Sequence, residues 1–266
     1  MRLGEYMGLI REGRPVEAEL VRQSTIPSKL IKFVWLDGGS DDEKKFKTLA
    51  NNEIWISTRK NLNDPYEFKG LVLDRQTLAD AGYPEQLVEG YQSMLDFEGL
   101  GVTCLSANQV DYLPMWAYYT NNHKGFCVEY AVLKKDCIHE VLYEERRTKV
   151  SSLLIQYQDA VKEAMRRQVR TPEADYLGRI LLQNLYIKAA TWKHEREFRV
   201  AYPIDDKNGL NVPVSRLGMM PAKIVAGINC AENAFEELNR LSNRLGLGDA
   251  YKCKLNDDEY VIDVIR

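Results

Sequence analysis

The sequence predicts an α+β fold: a strongly twisted, mostly antiparallel central sheet with peripheral helices. Three observations predict it. Runs with period 2 and period 3.6 give roughly ten strands and half a dozen helices. They interleave irregularly, unlike the steady β-α alternation of a doubly wound sheet. No G-x-G-x-x-G or Walker loop marks a nucleotide-binding parallel sheet.

Residues 1–28 form an N-terminal helical extension, interrupted at Pro15 and ending at Pro27. LIKFVWL (30–36) is a strand, and Asp37-Gly38-Gly39-Ser40 a turn. DDEKKFKTLANN (41–52) is an amphipathic helix whose acidic start suits the helix dipole. EIWIS (53–57) alternates as a strand, and Asn63-Asp64-Pro65 punctuates a turn over 61–70 before an extended FKGLVLD. A helix over 76–97 precedes the strand GVTCLS (101–106). MWAYYTNN (115–122) is a short helix, and GFCVEYAV (125–132) and IHEVLYE (138–144) are strands. Two long helical patterns, 147–168 and 173–190, form an insertion poised over a cleft. REFRVAYPI (196–204) is a strand, NVPVS (211–215) is weakly extended, and KIVAGIN (223–229) is a strand. AENAFEELNRLSNRLG (231–246) is a helix with Gly246 as its C-terminal stop. DAYKCKL and EYVIDVI close the chain as a hairpin around Asn256-Asp257-Asp258. All 266 residues read as one domain.

The composition is that of a globular chain, with 45% hydrophobic and 28% charged residues. A net charge of −3 gives no global attraction to nucleic acid or to an anionic membrane. Five cysteines lack C-x-x-C spacing, which points to a reducing, cytoplasmic compartment without structural metal. The first twenty residues are too charged for a signal peptide, and no apolar run is long enough to span a bilayer. Three histidines without ligand spacing argue against a metal site, and the absence of G-x-S-x-G argues against a serine-hydrolase elbow. Cys127, in an apolar strand, is a poor nucleophile for His123 to activate.

Four segments carry candidate chemistry. Lys32 is a cation inside an apolar strand; it could also snorkel from a sheet edge. Ser57 is followed by Asn63 and Asp64, which could equally serve only the turn. Trp116, Tyr119 and His123 share one helical face if their helix runs that far; they could also be core aromatics and a helix cap. The fourth segment contains Lys188, Trp192, Glu195, Glu197 and Arg199. Strand alternation puts Glu195, Glu197 and Arg199 on one face, with Phe198 and Val200 on the other. Such a face is either a solvated ion-pair edge or the wall of a working cleft. MRRQVR (165–170) adds three cations in six positions, as a solvated helix face or a basic patch.

Together NDPYE (63–67), MWAYYTNNHKGFCVEY (115–130) and the K-x-x-x-W-x-x-E-x-E-x-R string (188–199) resemble the bacterial family called domain of unknown function 2971. Lys32-Phe33, IWIS, VTCLS and IVAGIN fit the same order, although Val34 stands where that family often carries arginine. The layout is also similar to ADP-ribosyltransferases, in particular bacterial toxins that modify nucleic acid, with Glu197 in REFRV where their glutamate sits. This resemblance implies an ADP-ribosyltransferase-like fold and an NAD-consuming enzyme, a toxin or phage-defence effector. Glu197 would stabilise the oxocarbenium-like transition state, and Glu195 would orient the acceptor or act as its base. Trp116 and Tyr119 would stack on nicotinamide, and Lys188 or Arg199 would hold the pyrophosphate. Lys32, Ser57, Asn63, Asp64 and His123 would complete the NAD site. NAD is then a substrate, no metal is needed, and the acceptor is nucleic acid or protein. An antitoxin or partner subunit is a further expected partner. The alternative is a nucleotide-binding or complex-forming module without turnover. A glycosidase-like use of the two glutamates is left open by their spacing alone.

Overall fold

The computed structural model describes residues 3–205 and 208–266; the first two residues of the N-terminal extension lie outside that range. Two helices, α1 (Leu3–Arg11) and α2 (Pro15–Ser24), lead into β1 (Lys29–Val34). Pro15 occupies the first turn of α2, where its missing N–H costs nothing. Then come α3 (Asp41–Ala50), β2 (Glu53–Ser57) and the two-residue β3 (Leu71–Val72). The helix expected over 76–97 is broken at Pro84 into α4 (Arg75–Asp80) and α5 (Glu85–Asp96). β4 (Leu100–Ser106), α6 (Leu113–Tyr119) and β5 (Phe126–Val132) follow.

The single strand expected over 138–144 is two, β6 (Ile138–Glu140) and β7 (Leu142–Glu144), which join different sheets. β8 (Thr148–Lys149) precedes α7 (Ser151–Arg167) and α8 (Pro172–Leu182). The helix expected to reach 190 stops at Leu182, and Lys188 lies on a strand, β9 (Ile187–Ala189). β10 (Glu197–Pro203), β11 (Gly209–Pro213), β12 (Met219–Ala226), α9 (Glu232–Arg244), β13 (Tyr251–Leu255) and β14 (Ile262–Ile265) complete the chain.

Among the described residues ten strands form the main sheet, in the path β11-β2-β4-β1-β5-β12-β13-β14, with β10 joining β4 and β6. Its pairings are antiparallel except β12 with β13, as the irregular strand and helix order predicts. β3–β8 and β7–β9 are small parallel pairs beside it. β4 is the pivot. It pairs with β10 through seven residue pairs, from Glu197↔Ser106 to Pro203↔Leu100. It also meets β2 at Ser57↔Val102 and β1 at Ile31↔Ser106.

Alternation on β10 does what its pattern predicts. Phe198 and Val200 enter the main apolar core with Leu105, Ile138 and Phe126. Glu197 and Arg199 take the opposite face. That face is closed by a second apolar group, Phe68, Val102, Leu185 and Tyr186, and by the 183–195 segment. Two glycines bring the end of α6 against the sheet: a Cβ on Gly125 would lie 2.0 Å from the Val34 carbonyl oxygen, and one on Gly227 2.1 Å from that of His123.

Candidate functional site

The polar face of β10 carries a buried charge network of two cations and three carboxylates. Arg199 is 0% exposed, Glu67 and Glu195 2%, Glu197 3% and Lys188 4%. Arg199 donates from Nε to Glu197 Oε1 at 2.6 Å and from Nη2 to Glu197 Oε2 at 3.1 Å. It also donates from Nη2 to Glu67 Oε1 at 2.9 Å and from Nη1 to the Leu185 carbonyl at 2.9 Å. Glu67 Oε2 sits 2.7 Å from Nη1 as an ion-pair contact. β9 brings in the second cation from the side. Lys188 Nζ donates to Glu195 Oε2 at 2.6 Å and Glu197 Oε2 at 3.0 Å, with Glu67 Oε1 at 3.6 Å. Trp192 lays its ring 4.9 Å from the same ammonium.

Glu195 reaches the network from the short helical turn 190–195, not from β10 itself. Arg196 follows in a left-handed conformation (φ 48°), so the chain turns sharply between the two glutamates. Ser106 Oγ donates to the Glu195 carbonyl at 2.6 Å, and Asn108 Nδ2 donates to the His194 and Glu195 carbonyls at 2.8 and 3.0 Å. The Tyr119 hydroxyl donates to Glu195 Oε1 and accepts from Asn63 Nδ2 at 3.1 Å. Asn63 is exposed, so a polar chain runs from the surface to Lys188.

Proton affinities diverge across this network. Burial disfavours ionisation of Glu197, but Arg199 and Lys188 outweigh it and hold that carboxyl well below the usual range. Burial, opposed by Lys188 and reinforced by Glu197, pushes Glu195 up to about 7. Burial also raises Glu67, against the charge of Arg199. Lys188 is buried too, yet Glu197, Glu67 and Glu195 raise its affinity for the proton. Beyond Glu197 lie Cys104 and Lys32, both half-buried. Burial lowers Lys32, against the pull of Cys104 and Glu197, and its ammonium makes no ion pair or hydrogen bond among the described residues.

The other expected site residues fall elsewhere. Trp116 is fully buried, edge-on to Phe33 at 5.3 Å, with Nε1 donating to the Val110 carbonyl at 2.5 Å. It is a core side chain with no face free to stack on a ligand. α6 ends at Tyr119, and Asn121, Asn122 and His123 are left-handed (φ 52°, 55° and 66°). His123 is therefore off the Trp116–Tyr119 helical face; its carbonyl accepts from the Asn229 N–H at 3.0 Å. Asp64 is a buried turn residue whose Oδ1 accepts from the Tyr66 N–H at 2.8 Å. Ser57 pairs with Val102, four residues along β4 from Ser106, roughly 13 Å at the usual strand rise. Glu67 and Tyr143 were not anticipated. Glu67 is the last residue of NDPYE, and Tyr143 accepts the Glu197 N–H at its hydroxyl, 2.8 Å.

Among the described residues no helix is long and apolar enough to cross a membrane, and the five cysteines are unpaired. No curated protein and no solved structure matches the chain. The family model described as Protein of unknown function (DUF2971) matches residues 115–200, so the likeness to that family rests on the stretch that supplies Tyr119, Lys188, Glu195, Glu197 and Arg199.

Proposed function

We propose that this chain is an NAD-consuming, ADP-ribosyltransferase-like enzyme whose reaction centre lies at Glu197 and Glu195. One observation carries the reading: two carboxylates share the Lys188 ammonium, yet one is held ionised while the other is poised near neutrality. A pair pushed apart in this way divides the labour of group transfer. In the step proposed, the bond between the ribose anomeric carbon and the nicotinamide nitrogen breaks. Its electron pair neutralises the pyridinium. Positive charge grows on the ribose, and Glu197, anionic and anchored, stabilises it. The acceptor's lone pair forms the new bond to the anomeric carbon, and its proton passes to Glu195. Lys32, half-buried and uncommitted, suits the pyrophosphate. Substrate reaches Glu195 by displacing the Tyr119 hydroxyl.

Incubation of the folded protein with NAD tests the proposal. Nicotinamide release or a labelled acceptor in nucleic acid or lysate is expected, and Glu197→Gln should slow it by about 100-fold or more. A folded wild-type protein that yields neither product sinks the reading. The closure of both carboxylates, each within hydrogen-bond reach of a cation, favours a second one: a nucleotide-binding module without turnover. Its mark is a thermal shift with NAD or ADP-ribose that survives Glu197→Gln, with no product formed.

A further inference from the structure

Out from the buried network runs a row of three rings, of which the innermost, Trp192, also lies over Lys188. Tyr118, next to Tyr119 on α6, is 66% exposed. Its ring centroid is 5.9 Å from that of His194 with a 50° tilt, and His194 is 6.1 Å from Trp192 with a 32° tilt. The run therefore leads from the surface of α6 to the turn that carries Glu195. His194 Nε2 is buried without a partner, while Nδ1 meets the Thr191 carbonyl at 3.2 Å. The turn is anchored to β4 through Ser106 and Asn108, and the Ala107 N–H donates to the Arg196 carbonyl at 3.0 Å. Two exposed cations of the turn, Lys193 and Arg196, have no ion pair among the described residues. The basic end of α7 contrasts with this: Arg166 and Arg167 bind Glu163, and Arg170 binds Asp175.

We propose that Tyr118, His194 and Trp192 form a stacking shelf for the unpaired bases of a single-stranded nucleic acid, and that Lys193 and Arg196 hold its phosphates. The exposed ring of Tyr118 on α6 and the half-buried rings of the anchored turn accept any base by its face, and free cations beside them supply the backbone contact. A duplex keeps its bases stacked on one another and leaves the shelf nothing to grip. With a net charge of −3 on the whole chain, the attraction is local. That the strand is also the acceptor rests on the ADP-ribosyl-transfer reading, since the shelf ends at Glu195; the binding does not.

Fluorescence anisotropy with labelled single-stranded DNA and RNA of about 12 nucleotides tests it on the full chain, with circular dichroism to check folding. Both strands should bind, and Tyr118→Ala should weaken them by about tenfold. Lys193→Gln with Arg196→Gln should reduce the logarithmic salt slope by about 1.4. Failure to bind any strand, equal binding of a duplex, or indifference to these substitutions overturns the proposal. So does a dependence on Tyr118 seen with AMP or NAD alone, which would give the shelf to the donor's base. Strand binding without nicotinamide release would discard the enzyme and keep the shelf; release without Tyr118-dependent strand binding would do the reverse.

Discussion

Lys188 has three carboxylates and an indole around one ammonium, so the excess negative charge of the network falls on the carboxylate best able to take a proton. Glu195 is that group, because Arg199 holds Glu197 and Glu67 directly. A carboxyl raised to about 7 binds more protons in the folded chain than in the unfolded one. Its effect is to lower stability as pH rises from the ordinary carboxylate range to about 7. Glu197, held low, acts in the opposite sense and loses its contribution as pH falls below that range. Glu195→Gln should therefore lose less stability than the wild type on going from about pH 5.5 to 8, a difference on the order of 1–3 kcal/mol. Urea titrations at the two pH values measure it, and parallel shifts in both proteins refute the assignment. Much of this network was legible beforehand, because alternation alone places Glu197 and Arg199 on one face. Glu67 was not, since its contact with Arg199 spans 132 residues and no local pattern encodes it.

At the level of elements, the sequence was readable wherever a period persisted and was misleading where a short strand interrupted one. β10, β5 and α9 follow their patterns, each long enough to bury an unbroken apolar face. β9 is three residues long and follows α8 closely, too short to set a period of its own against the helical pattern of 173–190. What holds β9 in place is tertiary. It pairs in parallel with β7, with Tyr143 opposite Lys188, and Ile187 packs into the space that Gly70 leaves. A Cβ on Gly70 would lie 2.3 Å from Ile187 Cγ2 and 2.6 Å from its Cβ. Gly70→Ala should cost about 1–3 kcal/mol by overpacking, and should move Lys188 from its carboxylates. Ile187→Ala in the same chain should recover part of that loss, a positive coupling in a double-mutant cycle read by chemical denaturation. Strict additivity would mean that Gly70 does not position β9.

Over the whole molecule, the N-terminal helices tie the α7–α8 pair to the edge of the main sheet. Tyr6, Ile10 and Ala18 form a small core to which Tyr176 of α8 adds its ring. Arg179 of α8 donates to the Tyr6 hydroxyl at 2.7 Å and to Glu19 at 3.1 Å. Arg22, 2% exposed, crosses from α2 to the segment before and within β6. It donates to the carbonyls of Ile138, Asp136 (2.9 Å) and Lys135 (3.2 Å), and to Glu19 at 2.6 Å. β6 in turn pairs with β10 along Phe198, Arg199 and Val200, so the support reaches the charge network from behind. Removing the guanidinium strips a donor from all three carbonyls, and among the described residues only that of Lys135 keeps another, the Ile138 N–H at 3.3 Å. Arg22→Met should therefore destabilise the protein by about 3 kcal/mol. The damage should also be graded in space. Amide exchange should quicken in β6, α8 and the start of β10, while β5 and β12, paired from Met219↔Val132 to Ala226↔Phe126 across one register shift, keep their protection. Uniform acceleration across all of these strands would mean that the N-terminal helices support global stability alone, with no particular hold on the face that carries Glu197.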